Sequence, residues 1–517
     1  KVYKTYIGMG YNRSYLPAVI QRNILENPGW YTAYTPYQAE VAQGRLEALL
    51  NYQTVICDLT GMEISNASLL DEATSAAEAM TMLYGCRSRD QIKNQVNKFI
   101  VSDDVFEQTL AVLQTRAEPL GIEIELRTTD SIKIDEKVFG CLVQYTGKTG
   151  KINDLEALSR KIEKSNCRLV VAADLMSLTV LKEPSAFNSD VVVGTSQRFG
   201  IPLGYGGPHA GYFATKMEYK RFIPGRIIGV SKDRNGNRAL RMALQTREQH
   251  IKRERATSNI CTAQVLLAVM AGMYAVYHGK NGLTEIASKI NKLTKILDNR
   301  LKNLNIDQIN KSYFDTLHIK FPTKKLKEVA ESKKINFNYI NDEELSISIN
   351  EATEISDIDQ ICEIFESLVN KFTKNKILDS KYVSIPEIYV RHKSFLDEKV
   401  FDSYHSETSM MRYIKSLERK DLSLNHSMIA LGSCTMKLNA AAEMLPLSSA
   451  RWNNIHPFAP KEQVEGYNFM LEKLKIQLNE ITGFSGTSLQ PNSGAQGEYA
   501  GLMVIRSYFK SLNQTNR

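Results

Sequence analysis

The sequence repeats itself at a distance of 422 residues. The matching pairs are Trp30 with Trp452, Gly44 with Gly466, Thr60 with Thr482 and Gly61 with Gly483. A register that holds without a gap across this stretch indicates a duplicated domain, not a turn or a helical heptad. The second copy opens near His426 and stops at Arg517. We therefore expect a fragment of a longer protein whose second copy is truncated.

Size and composition are those of an ordinary soluble protein. A chain of 517 residues is too long for a single core and predicts several domains. The hydrophobic fraction is 43% and the charged fraction 24%, and no run approaches the roughly 20 apolar residues of a membrane span. The chain starts at Lys1 without an initiator methionine, so we expect its natural start to be missing too.

The seven cysteines lie at positions 57, 86, 141, 167, 261, 362 and 434. They form no CxxC pair and no metal-ligand spacing, so no metal site is expected. An odd, dispersed set in a large chain indicates reduced thiols in a reducing compartment.

Charge is concentrated in one segment, residues 216–255. It holds 12 Lys/Arg against 4 Asp/Glu, a local net charge of +8 that equals the charge of the whole chain. One interpretation is a binding site for something anionic. The other is a solvated surface helix. No nucleic-acid motif or aromatic-basic pattern accompanies the charge, which argues against nucleic acid.

Short apolar runs alternate with helical patterns through most of the chain. This alternation predicts a mostly parallel sheet with helices on both faces. Strands are expected at 98–102, 122–127, 141–145, 168–174, 190–195, 314–321, 337–340 and 344–349, and helices at 38–60, 105–117, 153–164 and 356–370. The predicted domains are a large one over 1–280, a small α/β one over 281–372, a connector over 373–425, and the opening of the second copy over 426–517.

The loop at 490–498 of the second copy suits a phosphate. Ser493, Gly494, Ala495 and Gln496 are small or polar and open a helix, whose free backbone N–H groups and dipole favour an anion. We align this loop with the one before Glu78 in the first copy, two residues longer, which carries Asp71 and Glu72. Two carboxylates at a helix start themselves supply the negative charge that is favourable there, so they are expected to take the place of a bound anion.

A second pair of features lies at the strand ends of the first copy. Asp174 ends one strand, and the next strand leads to Thr195-Ser196-Gln197-Arg198. This arrangement resembles fold-type-I pyridoxal phosphate enzymes, in which such an acid holds the pyridinium nitrogen and a lysine after the second strand forms the Schiff base. Gln197-Arg198 stands in place of that lysine. We therefore interpret the first copy as a degenerate cofactor domain and Asp174 as a strand-end cap or ion-pair partner.

Longer motifs make the resemblance specific. They are 7–10 (IGMG), 27–38 (NPGWYTAYTPYQ), 44–53 (GRLEALLNYQ), 204–209 (GYGGPH), 432–439 (GSCTMKLN) and 492–498 (NSGAQGE). They are similar to the glycine dehydrogenase (decarboxylating) family, the P-proteins of the glycine cleavage system. The match runs through nearly the whole chain and is loosest over 281–425. This family has two pyridoxal-phosphate-type halves, and only the second holds the cofactor.

The resemblance implies pyridoxal 5'-phosphate in the second half, with its Schiff-base lysine beyond Arg517, so the chain alone is expected to be inactive. The implied cofactor ligands are Asn492, Ser493, Gly494, Ala495 and Gln496, and the implied pocket residues are Cys434, Thr435, Asn454 and His456. Lys437 precedes the phosphate loop and is not the Schiff-base lysine. His209 is interpreted as a turn histidine.

The implied reaction is decarboxylation of glycine with transfer of the aminomethyl group to the lipoyl arm of the H-protein. The basic segment would then dock this carrier through Arg226, Arg241, Arg247 and Arg253. The expected assembly is a homodimer or paired halves, in the cytoplasm of a bacterium or the mitochondrial matrix of a eukaryote. Two alternatives stay open: another enzyme of the same fold, such as a serine hydroxymethyltransferase, and a non-catalytic scaffold, a role plausible for residues 1–425 even within this family.

Overall fold

The computed structural model describes residues 2–33, 38–256, 264–369, 384–428, 440–514 and 516. The strands are β1 (Lys4–Tyr6), β2 (Ile64–Ser65), β3 (Lys98–Ser102), β4 (Glu123–Arg127), β5 (Val138–Tyr145), β6 (Arg168–Ala173), β7 (Val191–Thr195), β8 (Gly211–Thr215), β9 (Ile227–Lys232), β10 (Arg238–Ala243), β11 (Thr316–Lys320), β12 (Ile335–Tyr339) and β13 (Glu344–Ser348).

The helices of the first copy are α1 (Ala18–Ile20), α2 (Pro28–Tyr31), α3 (Gln43–Thr60), α4 (Glu72–Gly85), α5 (Arg89–Lys93), α6 (Glu107–Ala117), α7 (Leu155–Ile162), α8 (Gln249–Lys252), α9 (Val265–Asn303), α10 (Thr323–Ser332), α11 (Ile355–Val369) and α12 (Glu407–Glu418). Those of the second copy are α13 (Ala441–Met444), α14 (Ala450–Asn453), α15 (Glu465–Thr482) and α16 (Gly494–Ser511). None of the described helices is long and apolar enough to cross a bilayer.

A seven-stranded sheet organises the first copy, in the order β2-β8-β7-β6-β5-β3-β4. The strands from β3 to β7 run parallel, and β8 is antiparallel to β7. All eight residues of β5 are buried, as expected for a central parallel strand covered on both faces. Two hydrophobic cores cover the sheet, one including α3 and α9 and the other α4 and α6. The predicted architecture is confirmed.

A second sheet of four strands, ordered β1-β12-β13-β11, lies in the region predicted as the small domain. Strand β1 pairs in parallel with β12, so residues 4–6 belong to this sheet and not to the large one. Helix α9 runs across the predicted boundary at residue 280, and Gly279 breaks its helical geometry with φ 60°. The domain limits stay a prediction, and Gly279 is the place where the chain direction changes.

The basic segment is not a surface helix. Its centre is an antiparallel hairpin of β9 and β10, in which Ile227 pairs with Ala243 and Lys232 with Arg238. The helical interpretation failed because a charge count carries no periodicity. Gln43 of α3 holds β10 of the hairpin. Its side chain accepts a hydrogen bond from Leu240 N at 3.0 Å and donates one to Leu240 O at 2.9 Å.

The described part of the connector holds both ends of α3. At its start, Asp421 accepts from the backbone N–H groups of Gly44 at 2.6 Å and Arg45 at 3.0 Å. At its end, Arg391 donates to Asp58 O at 2.7 Å and Leu59 O at 2.8 Å. These contacts satisfy backbone groups that a helix leaves free at its termini, and they bind the connector to the large domain.

The duplication is visible in the backbone. Helix α15 starts and ends 422 residues after α3, and each ends on a left-handed glycine, Gly61 at φ 72° and Gly483 at φ 73°. Buried residues line α3, whereas α15 has none. The two copies share their local conformation, although only the first surrounds its helix with a core.

Candidate functional site

The predicted phosphate loop, residues 492–496, opens helix α16. Ser493 is the N-cap, and its hydroxyl accepts from Gln496 N at 3.2 Å. The first N–H groups of a helix have no partner within it, so those of Gly494 and Ala495 are available to an anion. A Cβ built on Gly494 meets no atom within 4 Å. The loop is open and presents a hydroxyl, backbone donors and a helix N-terminus together.

The two copies align here without a gap, so the predicted two-residue difference is wrong. Asp71 is the N-cap of α4 as Ser493 is of α16, with φ −162° and −159°. The separation is again 422 residues, which places Glu72 at the position of Gly494. Matching Glu78 to Glu498 by residue type misled the alignment, because the N-cap and not a later glutamate fixes where each helix begins.

The corresponding place in the first copy is filled by its own acids. The Asp71 carboxylate accepts from Thr74 N at 2.7 Å. Burial, together with the nearby charges of Asp174 and Asp71, raises the pKa of Glu72 to about 8, although Gln144 donates to it at 3.3 Å. Burial thus favours the neutral form of Glu72. In the first copy Asp71 serves as the helix cap, and Glu72 stands at the position of Gly494.

Arg198 forms ion pairs with two carboxylates, one of them Asp174 at the end of β6. Its Nη1 lies 2.6 Å from Asp174 Oδ2 and 2.5 Å from Asp315 Oδ2. Burial raises the pKa of Asp174, and the Arg198 charge opposes that shift. Asp174 also accepts from Met176 N at 3.1 Å. The structure confirms Asp174 as both a strand-end cap and an ion-pair partner.

Of the predicted pocket residues, Cys434 and Thr435 lie outside the described residues, as does Lys437. Asn454 ends α14, and its backbone N–H donates to Ala450 O at 3.3 Å. His456 is buried, and burial lowers its pKa to about 4. Its Nε2 lies 3.1 Å from Gly8 O, and its Nδ1 accepts from Phe458 N at 3.1 Å. The neutral His456 thus ties the second copy to the first through Nε2, while its Nδ1 is satisfied within the second copy.

The loop 204–209 of the first copy receives the same segment. Gly204 N donates to Asn453 O at 2.7 Å, and Tyr205 N donates to Ile455 O at 3.0 Å. His209 is buried behind this loop, and burial lowers its pKa to about 4. Its ring lies beside that of Tyr11, with centroids 5.4 Å apart and planes tilted by 48°. These contacts agree with a turn histidine and place the motif at the junction of the copies.

The four predicted docking arginines divide into two pairs. Arg226 lies 3.5 Å from Glu248, and Arg247 is buried, donates to Ile223 O and has its pKa lowered by burial. Arg241 and Arg253 are exposed. Two members of the set hold the segment together, and two face solvent.

No group of three or more His, Cys, Asp or Glu side chains within the described ranges is placed to hold a metal ion. The described cysteines 57, 86, 141, 167 and 362 are free thiols, and the other two, 261 and 434, lie outside those ranges. Burial raises the pKa of Cys57 and Cys167 to about 12, so these thiols are inert at neutral pH.

Comparison with known proteins decides the family. The profile of the glycine cleavage system P-protein matches residues 1–365. The chain belongs to the glycine cleavage system P-protein family. It is 59% identical over 517 residues to glycine dehydrogenase (decarboxylating) of Flavobacterium johnsoniae, and 52% identical over 522 aligned positions to that of Bacteroides thetaiotaomicron. All of the chain is covered, but only 54% and 55% of these relatives. The chain spans about half the length of the curated relatives it matches.

The fold also matches that of a solved P-protein structure. A crystal structure of glycine decarboxylase (P-protein) in inhibitor-bound form matches with a TM-score of 0.65 and 30% identity, covering 71% of this chain and 85% of that one. A C-DES variant with glycine covalently linked to its PLP cofactor matches with a TM-score of 0.51 at 14% identity, covering 72% and 97%. The second likeness shows the fold alone. The fold is that of the fold-type-I pyridoxal phosphate enzymes.

Two features of this P-protein family chain could not be read from its sequence. Asp315, the second partner of Arg198, comes from the other sheet region, 117 residues away. Asn492 donates to Asp71 Oδ2 at 2.6 Å and so joins the phosphate loop of the second copy to the first copy. No local pattern marks either contact, because each depends on how distant segments pack.

Proposed function

We propose that this chain supplies the cofactor-free half, and the opening of the cofactor-binding half, of an enzyme that decarboxylates glycine and passes the aminomethyl group to the lipoyl arm of the H-protein. The observation that carries the proposal is a residue difference at equivalent positions of the two copies. Ser493-Gly494 begins the helix in the second copy, and Asp71-Glu72 begins it in the first. One copy keeps an open anion site at its helix start, and the other fills it with acids.

Pyridoxal 5'-phosphate, when bound, supplies an electron sink for the carbanion left as CO2 departs. The residues that suit its phosphate are Ser493, through its hydroxyl, and Gly494 and Ala495, through backbone N–H groups, with Gln496 and Asn492 beside them. Cys434, Thr435 and Asn454 are proposed to line the pocket entrance. His456 contributes there as a wall, because both its nitrogens already have partners.

The first copy acts as a scaffold within this enzyme. The Arg198 ion pairs leave Asp174 unable to serve a pyridinium nitrogen, which favours a non-catalytic role for residues 1–425. We propose a dimer or paired halves as the assembly. The relatives from Flavobacterium johnsoniae and Bacteroides thetaiotaomicron are bacterial, and for a bacterial source the proposed compartment is the cytoplasm.

The first test asks which half binds the cofactor. A protein spanning the full length of the curated relatives is incubated with pyridoxal phosphate, reduced with borohydride and mapped by peptide mass spectrometry. We expect no modified lysine within residues 1–372, since Gln197-Arg198 replaces the lysine there, together with glycine-dependent exchange of CO2 when H-protein is added. A pyridoxyl-lysine within 1–372 would contradict the cofactor-free assignment. Absence of CO2 exchange in a protein that still binds its ligands would contradict the proposed decarboxylation.

The second test concerns carrier docking by the exposed arginines. Reversing charge at Arg241 and Arg253 in the same protein should raise the apparent KM for lipoylated H-protein about tenfold at low ionic strength, because opposite charges steer association. The salt dependence of KM should weaken as well. The matched control reverses two exposed lysines outside the segment, Lys93 and Lys164. An equal change in both double variants would show a general charge effect and no docking surface.

A further inference from the structure

Helix α16 of the second copy lies along the first copy. Tyr499 donates to Thr115 O at 3.4 Å, and the Arg116 guanidinium lies 5.5 Å from the Tyr499 ring centroid. Lys510 forms an ion pair with Glu118 at 2.8 Å. Tyr499 and Lys510 are eleven residues apart, about three helical turns, so one face of α16 makes both contacts with the end of α6.

A further contact between the two copies lies at the phosphate loop itself. Asn492 directly precedes the N-cap Ser493, and its side-chain amide donates to Asp71 Oδ2 at 2.6 Å. The other oxygen of Asp71 accepts from Thr74 N at 2.7 Å. One carboxylate therefore caps α4 in the first copy and holds the residue before the cap of α16 in the second.

Arg116 connects these contacts to the interior of the first copy. It forms an ion pair at 2.9 Å with Glu78 of α4, whose side chain is only 4% exposed. Helix α4 thus reaches α16 at two points, through Asp71 directly and through Glu78 and Arg116 by way of Tyr499. Helix α16 has no buried residue, so its support is a series of surface contacts with α4 and α6 rather than a packed core.

We propose that Asp71 is a positioning residue for the phosphate loop of the second copy. It stands where that loop has Ser493, and it binds the partner loop instead of an anion. By fixing Asn492 it sets where the N–H groups of Gly494 and Ala495 point. A precisely held backbone cradle binds an anion better than a mobile one, because less order must be gained on binding. That the loop binds a phosphate rests on the proposed function. That Asp71 holds the loop through Asn492 does not.

The test uses amide hydrogen exchange by mass spectrometry on the 517-residue chain. Asp71→Ser keeps a capping hydroxyl but is too short to reach Asn492. We expect exchange in peptides over 490–498 to become about two- to fivefold faster, the range for an exposed charged contact, with peptides of α4 unchanged. The matched control is Asp154→Ser, because Asp154 caps α7 in the same way, accepting from Ala157 N at 3.0 Å. It should leave 490–498 unchanged.

A compensating pair separates the contact from general damage. Asn492→Asp alone sets two carboxylates together and should speed exchange over 490–498. Adding Asp71→Asn reverses the direction of the hydrogen bond and should restore protection. Unchanged exchange in Asp71→Ser, an equal effect of Asp154→Ser, or failure of the double variant to recover would each overturn the inference.

Titration of the unmodified chain with inorganic phosphate tests the anion site separately from the positioning role of Asp71. Protection of 493–496 by phosphate in the unmodified chain, weakened in Asp71→Ser, would support positioning of a working anion site. No response to phosphate in the unmodified chain would count against the proposed cofactor loop, whereas the exchange comparison would still decide the role of Asp71.

Discussion

Replacing Arg198 by methionine should lower the free energy of unfolding by about 3–5 kcal/mol at neutral pH. The reason is the pair of carboxylates that Arg198 joins. Its side chain is 7% exposed and that of Asp315 6%, so the substitution leaves Asp174 and Asp315 close together with their counter-charge removed. Urea denaturation followed by circular dichroism measures the change.

The control for Arg198→Met is Arg160→Met. Arg160 pairs with Glu156 on the surface of α7, where its side chain is 72% exposed, and its loss should cost less than about 1 kcal/mol. The deficit of Arg198→Met should shrink as pH falls. A buried carboxyl without its cation has a raised pKa, so the folded variant binds more protons than the unfolded chain and gains stability in acid. A deficit that stays constant down to pH 5 would contradict the ion-pair explanation.

The sequence was sufficient for the parallel core of the fold. Strands β3, β5, β6 and β7 are continuous apolar runs between helical patterns, and such runs arise because both faces of the sheet are covered. Strands β1, β2, β8, β9 and β10 escaped prediction. Strand β1 has only three residues, and β1 and β8 are identified by their partners, β12 for one and β7 for the other, rather than by a pattern of their own.

Features of the site that depend on a different residue type in the two copies could be predicted from the sequence. Features that depend on packing could not. Arg198 in place of a lysine is visible in the sequence, and so is the contrast of Asp71 with Ser493. The raised pKa of Glu72 is not visible, because it depends on burial and on the nearby Asp174 and Asp71. A charge count likewise cannot distinguish Arg247, which is buried, from Arg241, which is exposed.

The repeated glycines that reveal the duplication have different surroundings in the two copies. A Cβ on Gly44 would lie 2.0 Å from Leu417 O, a backbone atom of α12. Asp421, four residues further along the connector, accepts from the Gly44 N–H group at 2.6 Å. A Cβ on Gly466 meets nothing within 4 Å. The same residue type is thus required by close packing in one copy and unconstrained in the other.

Gly44→Ala should therefore destabilise the chain by about 3 kcal/mol, at the upper end for added bulk in a packed site, because α12 must move away from α3. Gly466→Ala is the matched control and should be neutral or stabilising by up to about 1 kcal/mol, since alanine favours the helix and meets no neighbour. Thermal and urea unfolding of both variants measures the difference, and proteolysis within 384–428 should be faster only in Gly44→Ala. Equal stability of the two variants would show that α12 does not pack against α3 as described. The connector would then not stabilise the large domain through this contact.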